Sequence, residues 1–109
     1  MSYRIETLPG FEKDARRLAK KYPSLKADLA KLITSLEVSP QQGTPLGNDF
    51  YKVRLAIASK KKGKSGGARV ITCVKIIQST VFLAAIYDKS DRASISDDEL
   101  KLLARQIGK

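Results

Sequence analysis

The chain has 109 residues, no histidine, a single cysteine and a formal charge of +10. With 42% hydrophobic and 29% charged residues it reads as one soluble domain over residues 1–109, with a single modest core. These counts exclude histidine acid–base catalysis and an internal disulfide and leave almost no ligands for a zinc site, and no apolar run approaches the roughly 18 residues of a membrane span.

The charge is unevenly placed. Residues 1–40 hold eight Lys or Arg against five Asp or Glu, and residues 76–109 hold five against five. Residues 41–75 hold eight against Asp49 alone. A local field of that kind concentrates phosphate ligands, so this stretch is expected to meet a polyanion such as nucleic acid. A solvated lysine edge is the competing reading. The opening MSYRIETLPGF is not a signal peptide, and a cytoplasmic location is expected.

In chain order, Tyr3 to Leu8 reads as a short strand that Pro9-Gly10 breaks. From Phe11, the residues Phe11, Ala15, Leu18 and Tyr22 recur as the apolar stripe of an amphipathic helix. Its other face carries Lys13, Arg16, Arg17, Lys20 and Lys21, with Glu12 and Asp14 in the first turn, and Pro23 ends it. Ser24 is placed to cap a second helix with Leu25, Leu29, Leu32, Ile33 and Leu36 on one face. Two helices so close in sequence are expected to form a hairpin packed on the sheet. Pro40 to Asp49 reads as a turn-rich connector.

Next, Val53, Leu55 and Ile57 alternate with Lys52, Arg54 and Ala56, the signature of a strand with one buried face. The segment SKKKGKSGG is too polar and glycine-rich to continue it, and Ala68 to Ile77 forms the returning strand, with Arg69 near its start. Lys52, Arg54 and Arg69 should therefore lie together at one end of a two-stranded ribbon. After a turn at Gln78-Ser79, Thr80 to Asp88 is a third strand, with Val81, Leu83, Ala85 and Tyr87 expected on one face. Ser96 and Glu99 form a capping box opening a last helix, whose Leu100, Leu103, Ala104 and Ile107 share a face. The order β-α-α-β-β-β-α predicts an α+β fold. Its antiparallel sheet carries the helical hairpin on one face, followed by a C-terminal helix.

Three motifs fail on inspection. Gly63-Lys64-Ser65 lacks the glycine that a phosphate-binding loop needs at position 58, where this chain has Ala58, and no helix follows it. Asp88, Asp91, Asp97 and Asp98 have no calcium-loop spacing; two serve the capped helix, and the others flank Lys89 and Arg92. The basic first helix has too few large apolar residues for stable membrane anchoring. Cys73, inside a strand, is read as a buried inert thiol.

Three blocks, taken together, resemble a known family. They are Tyr51-Lys52-Val53-Arg54-Leu55-Ala56, the run Ser59 to Ile71 (SKKKGKSGGARVI), and Ile86-Tyr87-Asp88-Lys89-Ser90-Asp91. Their order K-x-R, K-G-K-x-G-G-x-R and I-Y-x-K resembles the RelE/ParE toxin superfamily, nearest its HigB-like branch. The resemblance implies a toxin of a type II toxin–antitoxin pair that cuts mRNA in the ribosomal A site and is neutralised by a cognate antitoxin. It implies no metal and no cofactor.

Carried over by position, the resemblance gives Lys52, Arg54 and Arg69 on the sheet face and Tyr87 and Lys89 at the strand end as catalytic residues. Lys60, Lys61, Lys62, Lys64 and Tyr51 would bind RNA. Relatives often have a histidine at the strand end, and this chain has none. RNA supplies its own 2′-OH nucleophile, so the protein must align it and stabilise added negative charge. Arginine cannot serve as a base, which casts Arg54 and Arg69 as phosphate clamps. Crowding by like charge favours a neutral amine, so Lys52 or Lys89 is the expected base. Tyr87 would stack on a base or donate to the leaving oxygen. Two alternatives stand beside this reading: a ParE-like gyrase poison, and a basic RNA-binding module of the same fold without catalysis.

Overall fold

The computed structural model describes residues 2–60 and 66–108. Among the described residues nine elements follow one another: β1 (Arg4–Thr7), α1 (Pro9–Lys21), α2 (Leu25–Val38), β2 (Thr44–Gly47), β3 (Phe50–Leu55), a 3₁₀ turn (Ala58–Lys60), β4 (Ala68–Lys75), β5 (Thr80–Asp88) and α3 (Asp97–Ile107). The five strands form one sheet in the order β1-β5-β4-β3-β2. The meander from β2 to β5 is antiparallel, and β1 joins its far edge parallel to β5.

The alternating side chains of the strands divide the interior in two. On one face, Val53, Leu55, Val70, Val81, Leu83 and Ile86 pack against Phe11 and Leu18 of α1 and Leu25, Leu32 and Leu36 of α2. On the other, Phe50, Ile71, Cys73 and Tyr87 lie under Ile95 and under Leu100, Leu103 and Ile107 of α3. The helical hairpin packs on one face, as expected from the sequence, and α3 covers the opposite one. The second cover is the thinner one, since α3 has no fully buried residue.

Several local expectations are corrected. The first strand does end before Pro9, but the helix begins at Pro9 rather than Phe11, with Pro9 in the first turn of α1, where its missing N–H is no loss. Ser24 is itself αR and makes no backbone cap; its hydroxyl donates to Asp28 Oδ2 at 2.8 Å. The connector contains β2, which returns through Asn48 (φ 52°) and Asp49 (φ 70°). Two positive φ values in a two-residue loop make the primed turn that matches strand twist, and Pro45 is tolerated because β2 is an edge strand. The strand over Ala68–Ile77 stops at Lys75, leaving Ile76 and Ile77 in an exposed turn. The capping box at Ser96 and Glu99 forms as expected.

A bulge corrects the facing of β5. Ile71 pairs with Ala85 and Thr72 pairs with Leu83, so Ala84 is an extra residue in β5. One inserted residue reverses the side-chain alternation beyond it. Val81 and Leu83 stay with the helical hairpin, while Tyr87 turns to the α3 face. The chain enters β4 through Gly67, where an added Cβ would lie 2.0 Å from the Leu55 carbonyl oxygen. Gly67→Ala is therefore expected to lower stability by roughly 1–3 kcal/mol, read as a lower urea midpoint at unchanged slope.

Candidate nucleic-acid interface

The pairing register builds a row of side chains across three strands. Arg54 of β3 lies opposite Arg69 of β4, and Arg69 lies opposite Tyr87 of β5. Neighbouring strands are roughly 4.8 Å apart, so the row spans about 10 Å. Lys52 follows Arg54 on the same side of β3, opposite Ile71. Two guanidinium groups directly opposite each other cost a sheet stability, which marks the row as more than packing.

The members differ in access to solvent. Arg54 and Lys89 are exposed and Lys52 is half-buried, whereas Arg69 is only 4% exposed and Tyr87 5%. Arg69 Nη1 donates to the Ala68 carbonyl at 3.1 Å. The Arg92 guanidinium lies over the Tyr87 ring at 5.0 Å and is held there by Glu99, which accepts at 3.0 Å from its Nη1. Burial pushes the Tyr87 phenol up, against the opposing influence of Arg92 and Arg69. Its hydroxyl has no hydrogen-bond partner among the described residues. The Arg92 and Ser96 contacts hold the Glu99 carboxyl down to about 2.

A hollow of about 590 Å³ opens beside β3, bounded by α2 and the residues leading into β2. Its charged lining residues are Asp28, Lys31, Lys52 and Arg54, and Leu32, Val53 and Leu55 are among its apolar ones. Lys52 and Arg54 leave β3 on the side away from Val53 and Leu55, so they border the hollow at the strand edge. Its size is within the range that holds small ligands. Arg69 does not line it. The expected convergence of Lys52, Arg54 and Arg69 on one open pocket is thus only partly realised: the first two are accessible and the third lies beneath the surface.

Behind the row, Asp88 points to the opposite face and holds Lys60 of the 3₁₀ turn. Its carboxylate, fully buried, accepts from Tyr22 Oη at 2.6 Å, Lys60 Nζ at 2.8 Å and Ser90 N at 2.9 Å. Burial alone would raise this carboxyl, but the hydrogen bonds from Lys60, Tyr22 and Ser90 hold it far below the usual carboxylate range. Burial likewise opposes the Lys60 ammonium, and its bond to Asp88 outweighs that and raises it. The 3₁₀ turn is fastened at its start as well, where Ala58 N donates to Asp28 Oδ2 at 3.1 Å.

These contacts revise several sequence expectations. Lys60, expected to bind RNA, spends its charge on Asp88 and on Ser90 Oγ, and its side chain is only 7% exposed. Tyr51, expected to bind RNA, lies on the opposite side of β3 from Lys52 and Arg54 and packs with the core under the helical hairpin, away from the basic face. Asp88 is neither a flanking surface acid nor part of a helix cap; it is the buried partner of Lys60. Lys61, Lys62 and Lys64 lie outside the described residues. Cys73 is buried, and burial pushes its thiol up.

Sequence reasoning missed Lys31 and Arg92. Lys31 looks like any solvated helix lysine until the fold sets α2 beside β3. Arg92 had one usable signal, its seven-residue spacing to the capping Glu99.

The comparisons with known proteins agree with this architecture. Residues 11–109 match the family described as the RelE toxin of the RelE/RelB toxin–antitoxin system. A search of curated protein sequences gave no match. Among solved structures, a double arginine-to-alanine mutant of E. coli toxin RelE in the free state has a TM-score of 0.66 at 18% identity, covering 98% of this chain and 99% of that one. The isolated E. coli RelE toxin has a TM-score of 0.62 at 19% identity, covering 96% and 99%. The intact E. coli RelBE toxin–antitoxin complex matches with a TM-score of 0.51 at 19% identity, covering 80% and 96%. At such identities the structural likeness establishes the fold, while the family match extends over nearly the whole sequence. On that match, the chain belongs to the family of RelE toxins of toxin–antitoxin systems.

Proposed function

We propose that this protein is a ribosome-dependent endoribonuclease that cuts mRNA in the ribosomal A site, in the cytoplasm, and is held inactive by a cognate antitoxin. The observation that carries the reading is the Arg54–Arg69–Tyr87 row with Lys52 beside it. The cleavage is a transesterification: the 2′-oxygen attacks the adjacent phosphorus, the bond to the 5′-oxygen breaks, and a 2′,3′-cyclic phosphate and a 5′-hydroxyl result. The 2′-OH proton passes to an amine of the basic face, Lys52 or Lys89, and a proton returns to the leaving 5′-oxygen.

Arg54 is accessible and forked, suited to two phosphate oxygens at once. Arg69, beneath it, adds fixed positive potential where charge accumulates on the phosphorane, and it needs no rearrangement to do so. Tyr87 forms the floor under Arg92 and meets RNA only when Arg92 swings away. The likeness to the RelBE complex supports an antitoxin as partner.

Toeprinting of a translated mRNA with purified toxin tests the proposal. Cuts at A-site codons that vanish without ribosomes are the expected result. Inhibition of gyrase supercoiling with intact mRNA would instead support a gyrase poison. Ribosome binding without either outcome would leave a non-catalytic module.

A further inference from the structure

We propose that the outer face of α1 is a second polyanion-binding surface, which seats the protein on the phosphate backbone of double-stranded RNA. The inference deepens the ribosomal reading above and rests on it only for where such a duplex is met.

Lys13, Arg16, Arg17, Lys20 and Lys21 recur at intervals of three, one, three and one, which places all five on one side of a helix. All five are exposed. The opposite side of α1, with Phe11 and Leu18, is buried against the sheet, so the helix cannot turn its charges inward. At 1.5 Å per residue the cations extend for about 12 Å along a rigid axis.

The acids of the helix do little to cancel this ridge. Glu12 is engaged by the Thr7 hydroxyl, and Asp14 reaches Arg17 only at 3.7 Å. Lys21 is shared with Asp88 at 3.9 Å. Lys13, Arg16 and Lys20 make no ion pair among the described residues. The chain therefore keeps Lys13, Arg16 and Lys20 side by side with no carboxylate partner among the described residues, an arrangement that an external row of anions would relieve.

The chemistry selects the partner. A single strand is normally held by aromatic stacking as well as charge, and this ridge has no free ring: Tyr22 lies under Lys21 and Lys60, each 5.3 Å from its centre. An acidic protein would need an apolar centre to its interface, and an anionic membrane would need apolar side chains to insert; the outward face of α1 has neither. Duplex RNA is held through its phosphates and 2′-hydroxyls, contacts that exposed Lys and Arg make without apolar or aromatic partners. The ridge also lies on the opposite side of the sheet from the Arg54–Arg69–Tyr87 row, so both surfaces can be occupied together.

The test is fluorescence anisotropy of the full-length protein with a fluorescein-labelled 20-base-pair RNA hairpin, titrated with KCl. Arg16→Glu/Lys20→Glu is expected to weaken binding at least tenfold and to reduce the slope of log K against log salt by roughly 1.4–1.8, the value of two phosphate contacts. Lys101→Glu/Arg105→Glu changes the net charge equally on α3, at exposed positions, and is expected to retain affinity to within about threefold. Equal losses in the two variants would reduce the ridge to a general field effect and overturn the proposal. So would wild-type affinity in the α1 variant, or binding of phosphatidylglycerol vesicles in preference to the hairpin. The assay contains neither ribosomes nor mRNA cleavage, so its failure leaves the nuclease reading standing, and a toxin that cuts nothing leaves the ridge standing.

Discussion

Removing either guanidinium of the cross-strand row, by Arg54→Ala or Arg69→Ala, is expected to lower A-site cleavage by roughly 100–1,000-fold, the usual cost of deleting one preorganised charge at a developing oxyanion. The two variants should differ in what else they change. Arg54 is exposed, so its loss should leave the thermal midpoint near wild type. Arg69 is buried between Arg54 and Tyr87, so Arg69→Ala also leaves a cavity in the α3 face. Arg69→Lys separates the two effects. It keeps a positive charge and much of the volume but loses the planar fork, and it should recover folding more fully than cleavage. Single-turnover cleavage on programmed ribosomes, beside circular-dichroism melting, reads both quantities. Folded Arg54→Ala protein cutting at the wild-type rate would remove the row from the chemistry.

Asp88→Asn is expected to be the most destabilising polar substitution in the chain, costing roughly 3–5 kcal/mol because it leaves the Lys60 ammonium buried without its counter-charge. For a domain of this size that is a fall of roughly 10–20 °C in melting temperature. The double variant Asp88→Asn/Lys60→Met removes the stranded charge and should regain a substantial part of the loss, and a double-mutant cycle measures the coupling. Additive losses would mean that Lys60 does not depend on Asp88.

The same carboxylate sets the acid response. Its folded-state affinity for protons lies below the unfolded one, so its stabilisation is complete above the ordinary carboxyl range near pH 4. It fades as pH falls from there. Glu99, held down to about 2, loses its contribution over pH 4.5 to 2, which should loosen α3 together with the cover over Tyr87. Denaturant midpoints measured from pH 7 to pH 2 should therefore decline from about pH 4 downward.

Much of the architecture was legible because it rests on periodicities that burial enforces. The stripe at Phe11, Ala15 and Leu18, the alternation through Val53 and Leu55, and the capping box at Ser96 each have one low-energy reading, and each element formed. The strand β2 was not legible as such. Its sequence TPLG has no alternation to detect, and its hairpin depends on Asn48 and Asp49 accepting positive φ, which no hydrophobic pattern reports.

For the interface, the sequence by itself determined which residues carry charge and, through strand parity and hairpin closure, that Arg54 and Arg69 become neighbours. Tertiary structure alone decided which of those charges reach solvent. The extra Ala84 turned Tyr87 under Arg92, and Asp88 drew Lys60 inward, so two groups that look equivalent along the chain face opposite environments. The physical reason is that parity is a local property of the backbone. Exposure depends on what packs above each side chain, and here that cover comes from segments distant in sequence.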